Sequence, residues 1–272
     1  MENSFKISVK ISLILVYLVI AAGSIVRMTG SGMGCPDWPK CFGYWIPPTE
    51  RTQLDWKPGH QYTKGQVIIL NEELRVANGN FVSSKIFSDR NWGFYTQHDY
   101  AIFDPYETWV EYLNRLLGVI AGLAVLIMTI LSFWKWKKNI SHTFISILIL
   151  LGMGFQAWLG KTVVDSNLAP YRVSLHMGMA LLIVLGLVFL LFSNQKKAIS
   201  IPRNITLKVS AWFAVLLTLF QIGLGTQVRQ FVDLQMDEPP GQWLDPAPIK
   251  FYVHRTFSLV VLGVHLILFW IL

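Results

Sequence analysis

Six long apolar segments constrain the fold of this chain more than any other feature of its sequence. They lie at about residues 11–27, 109–134, 143–161, 172–193, 208–228 and 251–272. An apolar run of about 18 or more residues is long enough to cross the hydrocarbon core of a bilayer as a helix. Hydrophobic residues make up 53% of the chain and charged residues only 14%, which argues against an ordinary soluble domain. The sequence therefore predicts an all-α, multi-pass membrane protein with six transmembrane helices.

Basic residues in the short loops predict the orientation of these helices, because Lys and Arg accumulate on the cytoplasmic side. Lys6 and Lys10 precede the first helix, and further basic residues follow the second and fourth helices. We therefore expect both ends of the chain to be cytoplasmic. The net charge of +7 mainly reflects this topology, and nucleic acid is not an expected partner. The loop residues concerned are Lys135, Lys137, Lys138, Lys196, Lys197, Arg203 and Lys208.

The chain also contains an internal repeat. The end of the first helix, GSIVR at 23–27, resembles the end of the fifth, GTQVR at 225–229. The start of the second helix, YLNR at 112–115, resembles the start of the sixth, YVHR at 252–255. A third echo, GKTVV, begins at Gly160 and ends the third helix. Small residues at these ends allow helices to approach closely, so packing alone could explain the glycines.

A repeat unit of four helices divides the chain into two parts. Residues 1–194 form a complete four-helix repeat with a long outer loop at 28–106. Residues 195–272 contain the first two helices of a second, incomplete repeat. We therefore expect two further helices after residue 272, which would make eight helices in two four-helix bundles.

Two histidines are candidates for binding a cofactor. His176 and His254 each lie a few residues inside a helix that runs inward from the outer side. Glu111 lies at the same depth, three residues before Asn114 and on the same helical face. Ionisable side chains are costly inside a membrane and commonly mark functional sites. The alternative is that each histidine only forms a hydrogen bond with a neighbouring helix.

Arg115 and Arg255 directly follow these positions in the two copies of the repeat. Imidazoles, a carboxylate and guanidinium groups at one level of a helix bundle favour a buried cofactor with anionic groups. Haem fits this description, because imidazole ligates iron and Arg can pair with the propionates. His265 lies about three helical turns deeper than His254. A second ligand there is possible, but an interhelical hydrogen bond is the favoured interpretation.

Cys35 and Cys41 lie in the segment CPDWPKC, on the predicted outer side of the membrane. Disulfides persist in that environment, so a bridge that closes a small loop is the first interpretation. A redox role, in which the pair exchanges electrons with an external thiol partner, is the second. A metal site is the third, although two thiols without a nearby Cys/His pair make a poor zinc site.

Five motifs together resemble the haem A synthase family. They are VRMTGSGMGCPDWPKC at 26–41, E-x-x-N-R at 111–115, LGKTVV at 159–164, HMG at 176–178 and YVHR at 252–255. The resemblance covers the chain except for much of the outer loop. It implies eight helices in two similar halves, and an oxidoreductase of the bacterial plasma (inner) membrane. The implied reaction is oxidation of a porphyrin methyl of haem O to a formyl, which makes haem A for terminal oxidases.

The resemblance also implies roles for individual residues. Glu111 would be the catalytic carboxylate, and His176 would ligate the iron of substrate haem O in the first half. His254 would ligate the iron of a haem B in the second half, with its partner ligand on the expected eighth helix. Asn114 stands where many relatives carry His, which would leave the substrate iron five-coordinate or bound by another residue. The full set of expected haem-binding residues is Asn114, Arg115, His176, His254 and Arg255, and Cys35 and Cys41 would be the outer-loop cysteine pair.

The expected partners are haem O, an electron donor and the lipid bilayer, together with haem O synthase (the protohaem farnesyltransferase) and cytochrome oxidase assembly factors. A second hypothesis is a non-enzymatic b-type cytochrome that transfers electrons in the membrane. It requires His176 and His254 but gives Glu111 no particular task. A transporter with inverted repeats is disfavoured, because the repeats in this chain have parallel topology.

Overall fold

Among the residues that the structure describes, six long helices form the membrane part of the molecule. The computed structural model describes residues 2–95, 103–134, 136–137, 139–193, 205–235 and 244–271. All six helices are long and apolar enough to cross a membrane, which confirms the all-α multi-pass prediction. The helices are α1 (Glu2–Met28), α2 (Pro105–Phe133), α3 (Ile140–Asp165), α4 (Pro170–Ser193), α5 (Ile205–Asp233) and α6 (Ile249–Ile271).

Several helices extend beyond the apolar runs seen in the sequence, because polar residues continue or cap them. The start of α2 is an example. The Asp104 side chain accepts hydrogen bonds from the backbone N–H groups of Tyr106 and Glu107, at 2.7 and 3.3 Å. Pro105 follows at the first helical position, where its missing N–H costs nothing. This cap fixes the direction in which α2 begins, and therefore the placement of the candidate site residues on its first turns.

The chain divides into two compact units, Met1–Gln195 and Lys196–Leu272. The assignment of these parts to two four-helix repeats remains a prediction. Some of the basic residues used to predict the orientation lie outside the described residues. These are Lys135, Lys138, Lys196, Lys197 and Arg203.

In the first unit, α1 packs against α2 and α4, and α3 packs against α2 and α4, so the four helices enclose one core. Its centre is formed by apolar side chains such as Phe5, Val125, Met128 and Leu187, all fully buried. Buried hydroxyls also join α2 to α3, for example Thr143 Oγ1, which donates to the Ser132 carbonyl at 2.9 Å. In the second unit, α5 and α6 pack together as a hairpin.

The described residues between α1 and α2 include five short antiparallel strands, in two sheets ordered β1-β4 and β2-β3-β5. A two-residue turn joins β2 to β3, and both of its residues, Asn71 and Glu72, have positive φ, as such hairpin turns require. The sequence predicts a long outer loop in this segment but not these strands. The strands are β1 (Gln61–Tyr62), β2 (Val67–Leu70), β3 (Glu73–Ala77), β4 (Phe81–Val82) and β5 (Trp92–Phe94).

The segment between α1 and α2, called the outer segment after its predicted side of the membrane, has its own apolar core, which includes the cysteine pair. Cys35, Cys41 and Leu54 are fully buried in it, together with residues of β2 and β3. Tyr112 of α2 packs against the same cluster. The outer segment is therefore seated on the first turns of α2, next to the predicted site.

Candidate functional site

Three helix pairs show the same packing near the ends that are predicted to face the outer side of the membrane. In each, a glycine of the first helix faces the side chain of a candidate site residue on the second. A Cβ atom on the glycine would lie 3.9, 3.4 or 2.9 Å from that side chain in the three hairpins. The glycines thus make room for the candidate side chains. The pairs are, in the same order, Gly23 with Asn114, Gly160 with His176, and Gly225 with His254.

Two of the three hairpins add a glutamine, which lies four residues before the glycine. Gln156 Nε2 donates to the backbone carbonyl of His176 at 3.0 Å. Gln221 Nε2 donates to the backbone carbonyl of His254 at 2.9 Å. The sequence analysis assigned these glutamines no role, although the spacing Gln-x-x-x-Gly occurs before both glycines and could have revealed them.

The two candidate imidazoles are not satisfied by the protein. Nδ1 of His176 and Nδ1 of His254 are both buried and have no hydrogen-bond partner among the described residues. His265 differs, because its Nδ1 contacts the Val261 carbonyl at 2.8 Å and its Nε2 contacts Thr218 of α5 at 3.4 Å. The interhelical hydrogen bond predicted for His265 is therefore present. His176 and His254 retain the unused polar atoms that a ligand-binding role requires.

Glu111 lies at the contact between α2 and the outer segment. It is only 5% exposed and forms an ion pair with Arg115, one helical turn further along α2. The backbone N–H of Cys35 donates to Glu111 Oε2 at 2.8 Å. Both carboxylate oxygens are therefore paired, as a buried charge requires.

Arg115 also binds the outer segment directly. Its Nη1 donates to the carbonyls of Asp37 at 2.6 Å and Lys40 at 3.0 Å, and its Nη2 donates to the carbonyl of Cys35 at 3.2 Å. With its bonds to Glu111, the guanidinium group uses all five of its N–H donors. In this structure Arg115 therefore clamps the CPDWPKC loop onto α2. A haem propionate would have to displace one of these carbonyls to reach it.

Cys35 and Cys41 form a disulfide, in agreement with the first interpretation from the sequence. The bond leaves no thiolate for a metal, so the metal interpretation of this pair is wrong. The bridged loop also depends on Gly34. A Cβ at Gly34 would lie 2.5 Å from the backbone of Glu107, so any other residue would push the loop off α2. Thr108 Oγ1 donates to the Gly34 carbonyl at 2.8 Å and holds the same contact.

Burial dominates the electrostatics of the bridged loop. Burial raises the pKa of the Asp37 carboxyl, and a hydrogen bond from the Gly43 N–H and the charge of Arg115 oppose that shift. Asp37 Oδ2 accepts the Gly43 N–H at 2.8 Å, whereas its Oδ1 is buried without a partner among the described residues. Burial also raises the pKa of the Tyr95 hydroxyl, which donates to the Pro36 carbonyl at 2.6 Å.

A family model described as cytochrome oxidase assembly protein matches nearly the whole chain, over residues 6–94 and 94–272. Its relatives are haem A synthases. It is 29% identical to haem A synthase of Methylobacterium radiotolerans over 222 residues, which cover 78% of this chain and 52% of the relative.

The chain belongs to the haem A synthase family.

A second family member, haem A synthase of Shewanella oneidensis, is 26% identical over 268 residues, covering 94% of this chain and 69% of the relative. A third, from Methylorubrum extorquens, is 29% identical over 224 residues, covering 78% and 50%. The chain thus spans about half the length of several of the haem A synthases that it matches. No solved structure matches it.

Within this family member, the predicted site residues fall into separate groups. Glu111 and Arg115 pair with each other and with the bridged loop, whereas no hydrogen bond joins Glu111 to His176 in the described part of the chain. Asn114 faces Gly23, and its Oδ1 is buried without a partner among the described residues. Arg255 is exposed, with its guanidinium carbon 5.4 Å from the centre of the Tyr252 ring.

Proposed function

We propose that this chain is the haem-binding part of a haem A synthase that oxidises a porphyrin methyl of haem O to a formyl. One observation carries the proposal beyond family membership. Two hairpins present an imidazole, with an unused ring nitrogen, over a glycine, and the third presents the Asn114 amide in the same place, one turn from Glu111. The hairpins thus share one packing arrangement but carry different side chains at the candidate position. This difference is expected of an enzyme in which one part binds the substrate haem and the other binds a second haem.

The residues fit a haem-type group. The rings of His176 and His254 each rest against a glycine that leaves space for them, and Nδ1 of each ring has no hydrogen-bond partner among the described residues. His254 would hold a haem B in the second unit. Arg255 is exposed and directly follows His254, and it would pair with a propionate of that haem. His176 would bind the iron of the substrate haem O. When bound, haem B supplies a redox centre that can pass electrons one at a time.

Glu111 is the proposed catalytic carboxylate. Oxidation of a methyl group releases protons together with electrons, and a positioned carboxylate can accept a proton at its oxygen. Arg115 and the Cys35 N–H fix the direction of the Glu111 carboxylate. Asn114 is a weak ligand for iron, so the face of the substrate iron next to it would remain open.

The expected setting is a bacterial plasma membrane, with the N-terminus and the residue 272 end of the described helices on the cytoplasmic side. The functional residues then lie near the outer surface. The proposed partners are haem O, the farnesyltransferase that supplies it, an electron donor and factors that assemble the terminal oxidase.

The test is Glu111→Gln in the full native protein, with Thr108→Val as the matched control. Thr108→Val removes a different bond between α2 and the same loop, and leaves the carboxylate intact. Pigments extracted from membranes that carry Glu111→Gln should contain haem O or a hydroxylated derivative in place of haem A, and Thr108→Val should still yield haem A.

A normal haem A yield with Glu111→Gln would reject the catalytic role of this residue. Equal losses in both variants would show that Glu111 acts by holding the loop. Haem B as the only pigment bound by the wild-type protein would favour the b-type cytochrome and reject the synthase.

A further inference from the structure

Two large apolar side chains of the outer segment are exposed next to each other. Trp45 is 68% exposed and Ile46 is 71% exposed, and we call these two residues the exposed pair. The next two residues, Pro47 and Pro48, are buried. The outer segment already has apolar clusters of its own, and the exposed pair belongs to neither of them. The pair therefore does not serve to hold the segment together.

The stretch that carries the exposed pair, residues 40–48, is attached to α2 at both ends. The Arg115 guanidinium group donates to the Lys40 carbonyl at 3.0 Å, and the Trp109 indole N–H donates to the Pro48 carbonyl at 3.3 Å. Trp109 and Arg115 are six positions apart, which is about 9 Å along a helix axis. The two attachments hold the exposed pair beside the first turns of α2.

The exposed pair continues an apolar surface that begins on α2 itself. Leu113, Leu116 and Ile120 are exposed and follow Trp109 at intervals of three or four residues, so the four side chains share one face of the helix. This helix is long and apolar enough to cross a membrane. Trp109 and Ile46 line one cleft, which joins that face of α2 to the exposed pair. Contiguous exposed apolar surface of this kind marks an interaction site.

The cleft has a volume of about 520 Å³, which lies in the usual range of small-molecule sites, about 300–1,000 Å³. It does not belong to the proposed catalytic site. Trp109 precedes Glu111 by two residues, so the two side chains point about 200° apart around α2. The cleft is lined by the apolar side chains of Ile46, Pro47, Pro48 and Trp109 and by Tyr44 and Thr49.

The chemistry of this surface fits the boundary between lipid hydrocarbon and lipid headgroups. Tryptophan collects at that boundary, because its ring is apolar and its N–H is polar. Lys40 Nζ lies 5.5 Å from the centre of the Trp45 ring, so a positive charge accompanies the exposed pair. A lysine can keep its apolar stem on such a surface while its ammonium group binds a phosphate.

We propose that the exposed pair is a membrane-contact surface that enters the headgroup region of the adjacent leaflet, and that a phospholipid occupies the cleft beside Trp109. The ammonium group of Lys40 then meets the lipid phosphates. The disulfide-bridged loop is held by α2 on one side and by lipid on the other. This inference goes beyond the proposed function, because it requires no haem and no reaction.

The experiment places a nitroxide spin label on single cysteines, Trp45→Cys or Ile46→Cys, in the full native protein. The protein is studied in nanodiscs of phosphatidylcholine and phosphatidylglycerol. Val82→Cys and Ile86→Cys are the matched controls, because these residues are 65% and 79% exposed in the same outer segment. The two native cysteines are bridged and do not take the label. Power saturation then compares collisions with oxygen, which concentrates in lipid, and with a nickel chelate, which stays in water.

We expect the ratio of oxygen collisions to nickel collisions to be several-fold higher at positions 45 and 46 than at positions 82 and 86. Addition of haem O should not change the ratio at any of the four positions, since the cleft and Glu111 lie on different faces of α2. Agreement between two neighbouring labels would exclude a distortion caused by one substitution.

Three other results would overturn the proposal. Ratios at positions 45 and 46 equal to those of the controls would place the exposed pair in water. Few collisions with either reagent would show that protein covers the surface, and dipolar coupling between labels would identify this cover as a second copy of the chain. A change at position 46 on addition of haem O would assign the cleft to the substrate.

Discussion

The backbone N–H of Cys35 donates to the Glu111 carboxylate across 2.8 Å, which joins the disulfide-bridged loop to the proposed catalytic residue. A backbone donor is set by the path of the chain, so the position of Glu111 depends on the shape of the loop. Arg115 strengthens this dependence, since it binds Glu111 and three carbonyls of the loop together. A change in the shape of the loop should therefore change the position of the Glu111 carboxylate.

Reduction of the Cys35–Cys41 disulfide should loosen the loop. The cysteines are six residues apart, and closing so small a ring stabilises the folded state by about 2 kcal/mol through the entropy of the unfolded chain. We expect faster amide hydrogen exchange at residues 31–43 after reduction, or in a Cys35→Ser, Cys41→Ser double variant. Exchange in the core of α3 and α4 should not change. Unchanged exchange in the loop would show that its contacts with α2 hold it without the disulfide.

Gly34→Ala should detach the bridged loop from α2. The added Cβ would lie 2.5 Å from the Glu107 backbone, and relieving such an overlap typically costs about 1–3 kcal/mol. Gly79→Ala in the same outer segment is the control, because nothing lies within 4 Å of its Cβ position. Limited proteolysis of the outer segment should be faster in Gly34→Ala only. Equal cleavage of both variants would contradict the close approach seen at Gly34.

Gly225→Ala should displace the His254 ring, because its Cβ would lie 2.9 Å from His254 Cε1. Gly223→Ala is a matched control on the same helix. Its Cβ meets nothing within 4 Å, and replacing a helical glycine by alanine stabilises the helix by roughly 0.5–1 kcal/mol. We expect Gly225→Ala to lower the haem content of the purified protein and Gly223→Ala to preserve it, as measured from the pyridine haemochrome spectrum.

The same substitution at Gly160 should have a milder effect, because its Cβ would lie 3.4 Å from His176 Cε1. Haem loss in the order Gly225→Ala, Gly160→Ala, Gly223→Ala is therefore expected. Equal haem content in all three variants would argue against both histidines as ligands.

Asp37 should make the stability of the outer segment depend on pH. Its pKa is raised by burial, so the charged form is less favourable in the folded segment than in the unfolded one. The stabilisation is therefore complete below the ordinary pKa of 3.8 and is lost as the pH rises through the folded value. Asp37→Asn keeps an oxygen acceptor for the Gly43 N–H and removes the ionisation.

Hydrogen exchange of the outer segment, measured from about pH 4 to 7 and corrected for intrinsic rates, should show weaker protection with rising pH in the wild-type protein than in Asp37→Asn. Asp55→Asn, at an exposed position in the same segment, should follow the wild type. Identical profiles for the wild type and Asp37→Asn would mean that the Gly43 hydrogen bond and the charge of Arg115 together offset the burial of Asp37.

Much of the membrane architecture could be predicted, because spanning helices need long apolar runs and these runs are visible in the sequence. The positions of His176, His254 and Asn114 could also be predicted, because the repeats place them after similar motifs. The disulfide could be anticipated from two cysteines on the outer side. All of these predictions depend on local sequence or on its repetition.

The role of Arg115 could not be predicted in the same way. Its partners in the loop are backbone carbonyls more than 70 positions away in sequence, and a carbonyl has no residue type that a sequence pattern can reveal. The strands of the outer segment were missed because two to five residues are too few to show a periodicity. The requirement for glycine at position 34 could not be predicted, because its φ of –64° is ordinary and only the approach of α2 excludes a side chain.

The shared packing of the three hairpins also bears on how this protein can evolve. Gly23 leaves more room beside Asn114 than Gly225 leaves beside His254, so the first hairpin already has the space for a larger ring. Codons for asparagine and histidine differ by a single nucleotide. Asparagine and histidine can therefore be exchanged at this position in one mutational step without rebuilding the helix pair, and the proposed haem ligation would change with that step.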